Sequence, residues 1–325
     1  ILHPSSFIPH PSSFIPHPSS LFMSGDSTSK QTLSFLMRRF EEAGIRPRTK
    51  LGQNFLIDLN LLGILADSAD LTDDDVVLEI GGGTGSLTAL LAAKAAVVIT
   101  VESDRRMSQL AGEELHAFRN VVMLEIDALK NKNHINPEVL AAVTAHLNAA
   151  PGRRFKLVAN LPYNIATPIL GNLLAEERPP ESMTVTIQKE LAGRITAAPG
   201  TKDYGALSIW IQSQCRAAIL RELPPSVFWP RPKVYSAFVR IALDQPLRDR
   251  IGDRDLFHDF VRAMFRHRRK FLRTQLLLAA GNRLDKPGAD AILKRLNLEP
   301  SLRAEQLGVE TMIALSEAVR SATGI

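Results

Sequence analysis

The run Val76-Val-Leu-Glu-Ile80 leads without a break into Gly81-Gly-Gly-Thr-Gly85, and a helical pattern opens at Ser86. A short apolar run of this kind fits a strand buried on both faces. Glycines at 81, 83 and 85 let the backbone turn sharply and approach a ligand with no Cβ in the way. Strand, glycine turn and helix are the opening of a parallel βαβ unit, and the chain keeps that rhythm. Strands are predicted over Ala96–Glu102, Val121–Asp127, Phe155–Leu161 and Met183–Gln188, with helices over Ser86–Lys94, Arg105–Phe118 and Pro137–Leu147. Cys215–Leu223 and Ser236–Leu243 read as two more strands, separated by a proline-rich hairpin, Pro224–Pro232. The expected fold is α/β: a doubly wound, Rossmann-like, mostly parallel sheet with a terminal antiparallel pair.

The flanks differ. Residues 1–22 repeat His-Pro-Ser-Ser-Phe-Ile-Pro, which forbids a helix and cannot build a core, so residues 1–30 are expected to be a disordered repeat and linker, with Met23 a plausible true start. A helix is predicted over Gln31–Ala43, ahead of the basic stretch Arg46-Pro-Arg-Thr-Lys50. Residues 31–245 form the sheet domain, and 246–325, without strand pattern, a small helical domain. No apolar run is long and charge-free enough to span a membrane. The single cysteine, Cys215, leaves no intramolecular disulfide and no metal-ligand cluster, so no metal is expected and a cytoplasmic setting follows. A net charge of +5 suits a polyanionic partner without identifying one.

Ligand crevices in open α/β sheets lie at the carboxyl ends of the strands. The glycine loop departs from the dinucleotide pattern: its third glycine comes one residue early, and Glu79 adds negative charge where a pyrophosphate would sit. The second strand ends in Glu102, which can take the hydroxyls of a ribose. The third ends in Asp127, placed to accept from an adenine amine. Glycine loop, Glu and Asp on successive strand ends describe an adenosine site without phosphate recognition, which points to S-adenosylmethionine. The fourth strand end is Asn160-Leu-Pro-Tyr163, offering an amide oxygen, backbone carbonyls and an aromatic face. Those groups suit a planar base with an exocyclic amine. Between Arg262 and Arg273 lie six Lys or Arg residues and no acid. Helical spacing puts Arg262, Arg266, Arg269 and Arg273 on one face, a surface for nucleic-acid phosphates, to which Lys270 adds.

With these motifs in order, the chain resembles the small-subunit rRNA adenine-N6 dimethyltransferases (the KsgA type). The match is carried by Gly52-Gln-Asn-Phe-Leu56, Glu79–Thr88, Asn160–Pro168, Gln188-Lys-Glu190 with Arg194, Tyr204–Ser208, Pro224–Val234 and Phe265–Arg273. It implies cofactor contacts at Asn54, Leu56, Gly81, Gly83, Glu102, Asp127 and Asn160. It implies catalysis by Asn160, Leu161, Pro162 and Tyr163, with the flipped adenine held between Tyr163 and Phe228. The implied activity is methyl transfer from S-adenosylmethionine to N6 of two adjacent adenines near the 3′ end of small-subunit rRNA, by a monomer acting on a small-subunit precursor. Ala159 and His267 depart from the family's usual Gly and Gln. The connection from Asp127 to Asn160 is longer than usual. Two alternatives stand beside this reading: the large-subunit adenine methyltransferases of macrolide resistance, and a non-catalytic assembly factor.

Overall fold

The computed structural model describes residues 33–42, 44–45, 47 and 52–324; the proline repeat, its linker and the cations Arg46, Arg48 and Lys50 lie outside the described residues. Seven strands make one sheet: β1 (Asp75–Ile80), β2 (Val97–Val101), β3 (Val121–Leu124), β4 (Arg154–Asn160), β5 (Ser182–Gln188), β6 (Cys215–Leu223) and β7 (Ser236–Leu243). Their spatial order is β3-β2-β1-β4-β5-β7-β6. The first five run parallel, and β7 lies antiparallel between β5 and β6. The chain moves outward from β1 to β3, then returns to add β4 on the other side of β1. That reversal is the topological switch point, where a ligand crevice opens between the ends of β1 and β4.

Helices α1 (Leu33–Glu42) and α2 (Leu59–Asp67) precede the sheet, and the crossovers are α3 (Ser86–Ala92), α4 (Arg105–Leu115), α5 (Pro137–Asn148) and α6 (Ala166–Ala175). Asp58, Asp104 and Asn136 start α2, α4 and α5, each side chain accepting a hydrogen bond from a first-turn amide. Along β1 successive side chains alternate between the faces of the sheet. Val76, Leu78 and Ile80 enter one core cluster, and Val77 enters a second that lies under α2 and α3. Glu79 shares the parity of Val77, so a carboxyl is sent into that second face.

Several elements differ from the sequence expectations. Helix α7 (Lys189–Thr196), the short hairpin Leu129–Asn131 with His134–Ile135, and a strand pair joining Phe55–Leu56 to Phe228–Trp229 had no local pattern. Helix α8 spans Ala206–Gln212, within the Tyr204–Gln214 helical pattern of the sequence, a short helix α9 follows at Gln245–Arg248, and β3 stops at Leu124, so Asp127 stands on a loop. The basic stretch 262–273 is not one helix. Helix α10 (Arg254–Phe265) ends there, a turn follows, and α11 (Leu272–Ala280) begins, with α12 (Lys286–Arg295) and α13 (Val309–Thr323) beyond. A single stripe through Arg262, Arg266, Arg269 and Arg273 is therefore replaced by a cationic turn between two helices. Nor do the C-terminal helices build a core of their own. Phe257, Phe260, Met264, Leu272 and Met312 belong to the same cluster as Ile209 and Trp210 of α8, and the Trp210 and Phe257 rings stand 6.4 Å apart.

Candidate active site

The glycine loop is closed down by packing as much as by any ligand. Gly81, Gly83 and Gly85 have φ of +81°, +57° and +83°. A side chain is excluded at Gly82 too, where a Cβ would stand 2.2 Å from Thr100 Oγ1, and a Cβ on Gly81 would press the Pro162 ring at 3.1 Å. Pro162 thus packs the Asn160–Tyr163 turn onto the glycine loop, tying the ends of β1 and β4 together.

Glu102, just past β2, accepts from Gly83 N at 3.1 Å through Oε2 and from Asp104 N at 2.9 Å through Oε1. Burial raises its carboxyl pKa above the ordinary value, and the two amides pull the other way. Asp127 is exposed on its loop, its Oδ1 accepting from Leu129 N at 2.9 Å. One cavity is lined by Asn54, Gly81, Glu102, Asp127, Asn160 and Pro162, so five of the seven cofactor residues expected from the sequence meet there. The other two, Leu56 and Gly83, line a smaller adjoining cavity beneath the glycine loop.

Asn160 ends β4 at the centre of this arrangement. Its Nδ2 donates to the Asn54 carbonyl at 2.9 Å, which fixes the amide plane. Its Oδ1 is buried and has no hydrogen-bond partner. A buried acceptor left unpaired costs roughly 1–3 kcal/mol, so the fold holds an acceptor open at this spot. Leu161 is buried and its amide donates to the Thr186 carbonyl at 3.2 Å, anchoring the turn to β5. The Pro162 carbonyl accepts from Ile165 N at 3.1 Å. Tyr163 is half-buried in a second cleft with Gly52, Asn54 and Gln188, and its hydroxyl shares a 2.5 Å hydrogen bond with Ser236 Oγ at the start of β7. These groups fit S-adenosylmethionine: a glycine turn that allows close approach, a buried carboxylate on the neighbouring strand end, and an open amide oxygen.

Phe228 lines none of these three cavities. It was expected to cover the second face of the target base, but it is only 2% exposed and packs with Leu56, Leu223 and Phe238 in the second core cluster. Its backbone pairs with Leu56. Two groups matter beyond the sequence reading, which noted Glu79 only as a bar to a pyrophosphate and did not single out Ser236. Glu79, 1% exposed, accepts from Thr88 Oγ1 at 2.5 Å, and burial pushes its carboxyl up to about 7 against that hydrogen bond. Its signal was available, an acid interrupting an unbroken apolar strand. Ser236 gave none, because its partner is 73 residues away in sequence. Cys215 is buried, which pushes its thiol up to about 12 and removes it as a nucleophile.

The cationic turn is exposed at Arg262, Arg266, Arg269 and Lys270, none of which has an ion-pair partner among the described residues. Arg273 is also exposed but pairs with Asp290 at 2.6 Å, and Arg268 pairs with Glu305 at 3.0 Å. The acids absent from the local sequence are supplied from elsewhere in the chain.

Comparison with known proteins bears on the same residues. A ribosomal RNA adenine dimethylase family model matches residues 44–314. Proteins named ribosomal RNA small subunit methyltransferase A are 40% identical in Alkaliphilus oremlandii (80% of this chain, 87% of that one) and 40% identical in Pelotomaculum thermopropionicum (89% and 96%). Among solved structures, a dimethyladenosine transferase from Plasmodium falciparum superposes with TM-score 0.66 at 24% identity, covering 82% of this chain and 98% of that one. The 23S rRNA methyltransferase ErmE gives 0.58 at 24% identity, covering 82% and 99%. Those two establish the Rossmann-like methyltransferase fold. The family model spans the glycine loop, the Asn160 turn and the helices behind them in one alignment, so this chain belongs to the ribosomal RNA adenine dimethylase family and uses S-adenosylmethionine.

Proposed function

We propose that this protein dimethylates N6 of two adjacent adenines near the 3′ end of small-subunit ribosomal RNA, acting as a monomer on a cytoplasmic precursor of the small subunit. The observation that carries the reading is the unpartnered, buried Oδ1 of Asn160 beside an amide locked by Asn54. An adenine amine is a poor nucleophile because its lone pair is delocalised into the ring. Two acceptors on its hydrogens favour a tetrahedral nitrogen whose lone pair points at the methyl group. Asn160 Oδ1 is one. The Leu161 carbonyl, which no backbone hydrogen bond engages among the described residues, is the other. The cofactor supplies a methyl already activated on a sulfonium, so the chain's work is positioning and charge complementarity. Glu102 and Asp127 hold its ribose and adenine, while Asn54, Leu56, Gly81 and Gly83 shape the floor.

Tyr163 offers the flipped base a face, and Arg262, Arg266, Arg269 and Lys270 track RNA phosphates. The relatives at 40% identity carry small-subunit names, which favours that subunit over the large one. The deciding experiment supplies purified protein and labelled S-adenosylmethionine to undermethylated small subunits and to large subunits. Label in two adjacent small-subunit adenines is the expected result. Label in large subunits only, or in neither, overturns the proposal.

A further inference from the structure

Immediately before Ser236, which holds the Tyr163 hydroxyl, stands a second tyrosine that nothing in the core requires. Tyr235 is 53% exposed and Val234 is 44% exposed. A lone exposed ring needs no explanation, so the case for a partner rests on what stands around it. The ring is not tethered through a hydrogen bond: its recorded side-chain neighbour is Lys189, whose Nζ stands 6.0 Å from the ring centroid. Its backbone, in contrast, is fixed. The Tyr235 carbonyl accepts from Lys189 N at 2.9 Å, and the next residue opens β7 opposite Gln188. A rigid backbone thus presents an uncovered ring.

Its surroundings are cationic. Arg231 and Lys233 are exposed on the same segment, line the cleft that contains Tyr163, and have no ion-pair partner among the described residues. Aromatic faces interleaved with unpaired cations are the pattern that binds single-stranded nucleic acid: rings take bases, cations take the phosphates between them. Position narrows the choice of base. Tyr235 adjoins the residue bonded to Tyr163 but lies outside the pocket wall. A nucleotide whose neighbour has been drawn out of the stack loses a stacking partner at that step.

We propose that Tyr235 is a stacking platform for the nucleotide next to the target adenine, with Arg231 and Lys233 holding the intervening phosphates. This rests on the proposed action on RNA and adds to it a binding residue outside the methyl-transfer pocket. A protein partner covering the Tyr235 and Val234 patch is the competing occupant.

The test compares Tyr235→Ala, Tyr235→Phe and the unchanged protein on small-subunit rRNA stripped of protein and on intact undermethylated subunits. The expected result is an RNA dissociation constant raised about tenfold by Tyr235→Ala on both substrates and restored by Tyr235→Phe. S-adenosylmethionine affinity and the single-turnover rate at saturating RNA should be unchanged. Equal RNA affinity for all three proteins overturns the platform. So does a loss confined to intact subunits, which would identify a ribosomal protein as the partner. These outcomes are distinct from failure of the functional proposal, in which the unchanged protein itself methylates no small-subunit RNA.

Discussion

Strands β1 and β4 run side by side, and their two ends are built on opposite principles. At the amino ends, charge is buried and ion-paired, although Asp75 Oδ1 and Arg154 Nε face each other without forming a hydrogen bond. Asp75 is fully buried, with Lys156 Nζ at 2.9 Å and Arg154 Nε at 3.1 Å, and Lys156 also donates to the Asp70 carbonyl at 2.6 Å. At the carboxyl ends, four to six residues further along the same strands, a buried open acceptor and a buried acid stand without any ion-pair partner among the described residues. Asn160 Oδ1 has no partner, and Glu79 holds a proton to a pH far above a free carboxyl. One pair of strands thus carries a stabilising clamp at one end and stored polar cost at the other. An ion-paired group at one end serves the fold; if the proposed function holds, the open acceptor at the other serves a ligand.

Mutating each end tests that division. The largest effect expected is Lys156→Met. It removes a buried cation from Asp75, and breaking such a pair costs about 3–5 kcal/mol, toward the lower figure because Arg154 remains. Denaturant unfolding should show that loss, while the methylation rate per folded molecule is unchanged. A variant that is stable but slow would put the clamp in the catalytic machinery. Next is Asn160→Ala, expected to lower the single-turnover methylation rate by roughly a hundredfold, about 3 kcal/mol. Stability should change little, since relief of the unpaired acceptor offsets the lost Nδ2 bond to the Asn54 carbonyl. A destabilised variant with its rate intact would make Asn160 a member of the fold and erase the contrast.

The two ends also differed in how far sequence revealed them. The carboxyl ends were legible because strand-end chemistry is local: Gly81, Glu102 and Asn160 each close an apolar run, and the fold brings them to one cavity. Asp127 was legible as a residue and misplaced as structure, since β3 ends at Leu124 and a loop carries the carboxylate onward. The clamp at Asp75 was not read at all. Its partners are 79 and 81 residues away, and only the parallel register of β1 on β4 brings them together. The burial of Phe228 was hidden for a related reason. Its backbone joins a two-residue ladder with Leu56, a pairing with no local pattern, and its ring packs in the second core cluster. The cationic turn was legible in composition, but its pairing was not, because Asp290 and Glu305 belong to later segments.

Glu79 gives the comparison a pH axis. Burial raises its carboxyl from an ordinary 4.5 to about 7 in the folded chain. The folded state keeps the proton longer than the unfolded state. Its contribution to stability is therefore complete below pH 4.5 and is lost as pH rises through 7. Across pH 5 to 7.5 that amounts to roughly 2 kcal/mol. Glu79→Gln keeps an acceptor for Thr88 and cannot ionise. The stability of the variant relative to the original should climb over this interval and level off above it. A difference independent of pH would mean that the carboxyl ionises inside the fold as freely as outside.

The smallest effect concerns the bond between Tyr163 and Ser236. If the ring's face holds the base, the hydroxyl serves only to orient the ring through its 2.5 Å contact with Ser236 Oγ. Removing either hydroxyl should then cost about what one neutral hydrogen bond contributes, about 1 kcal/mol, or several-fold in rate. Tyr163→Phe and Ser236→Ala should show similar losses, and the double variant should lose no more than either alone, because both delete the same bond. Tyr163→Ala, which removes the face, should be far more severe than any of the three. Single-turnover rates at saturating RNA separate these cases. Additive losses in the double variant would give the two hydroxyls separate duties. A Tyr163→Phe variant as slow as Tyr163→Ala would place the phenol oxygen in contact with the reacting base, and the open end of these strands would then contain a second polar group held for substrate.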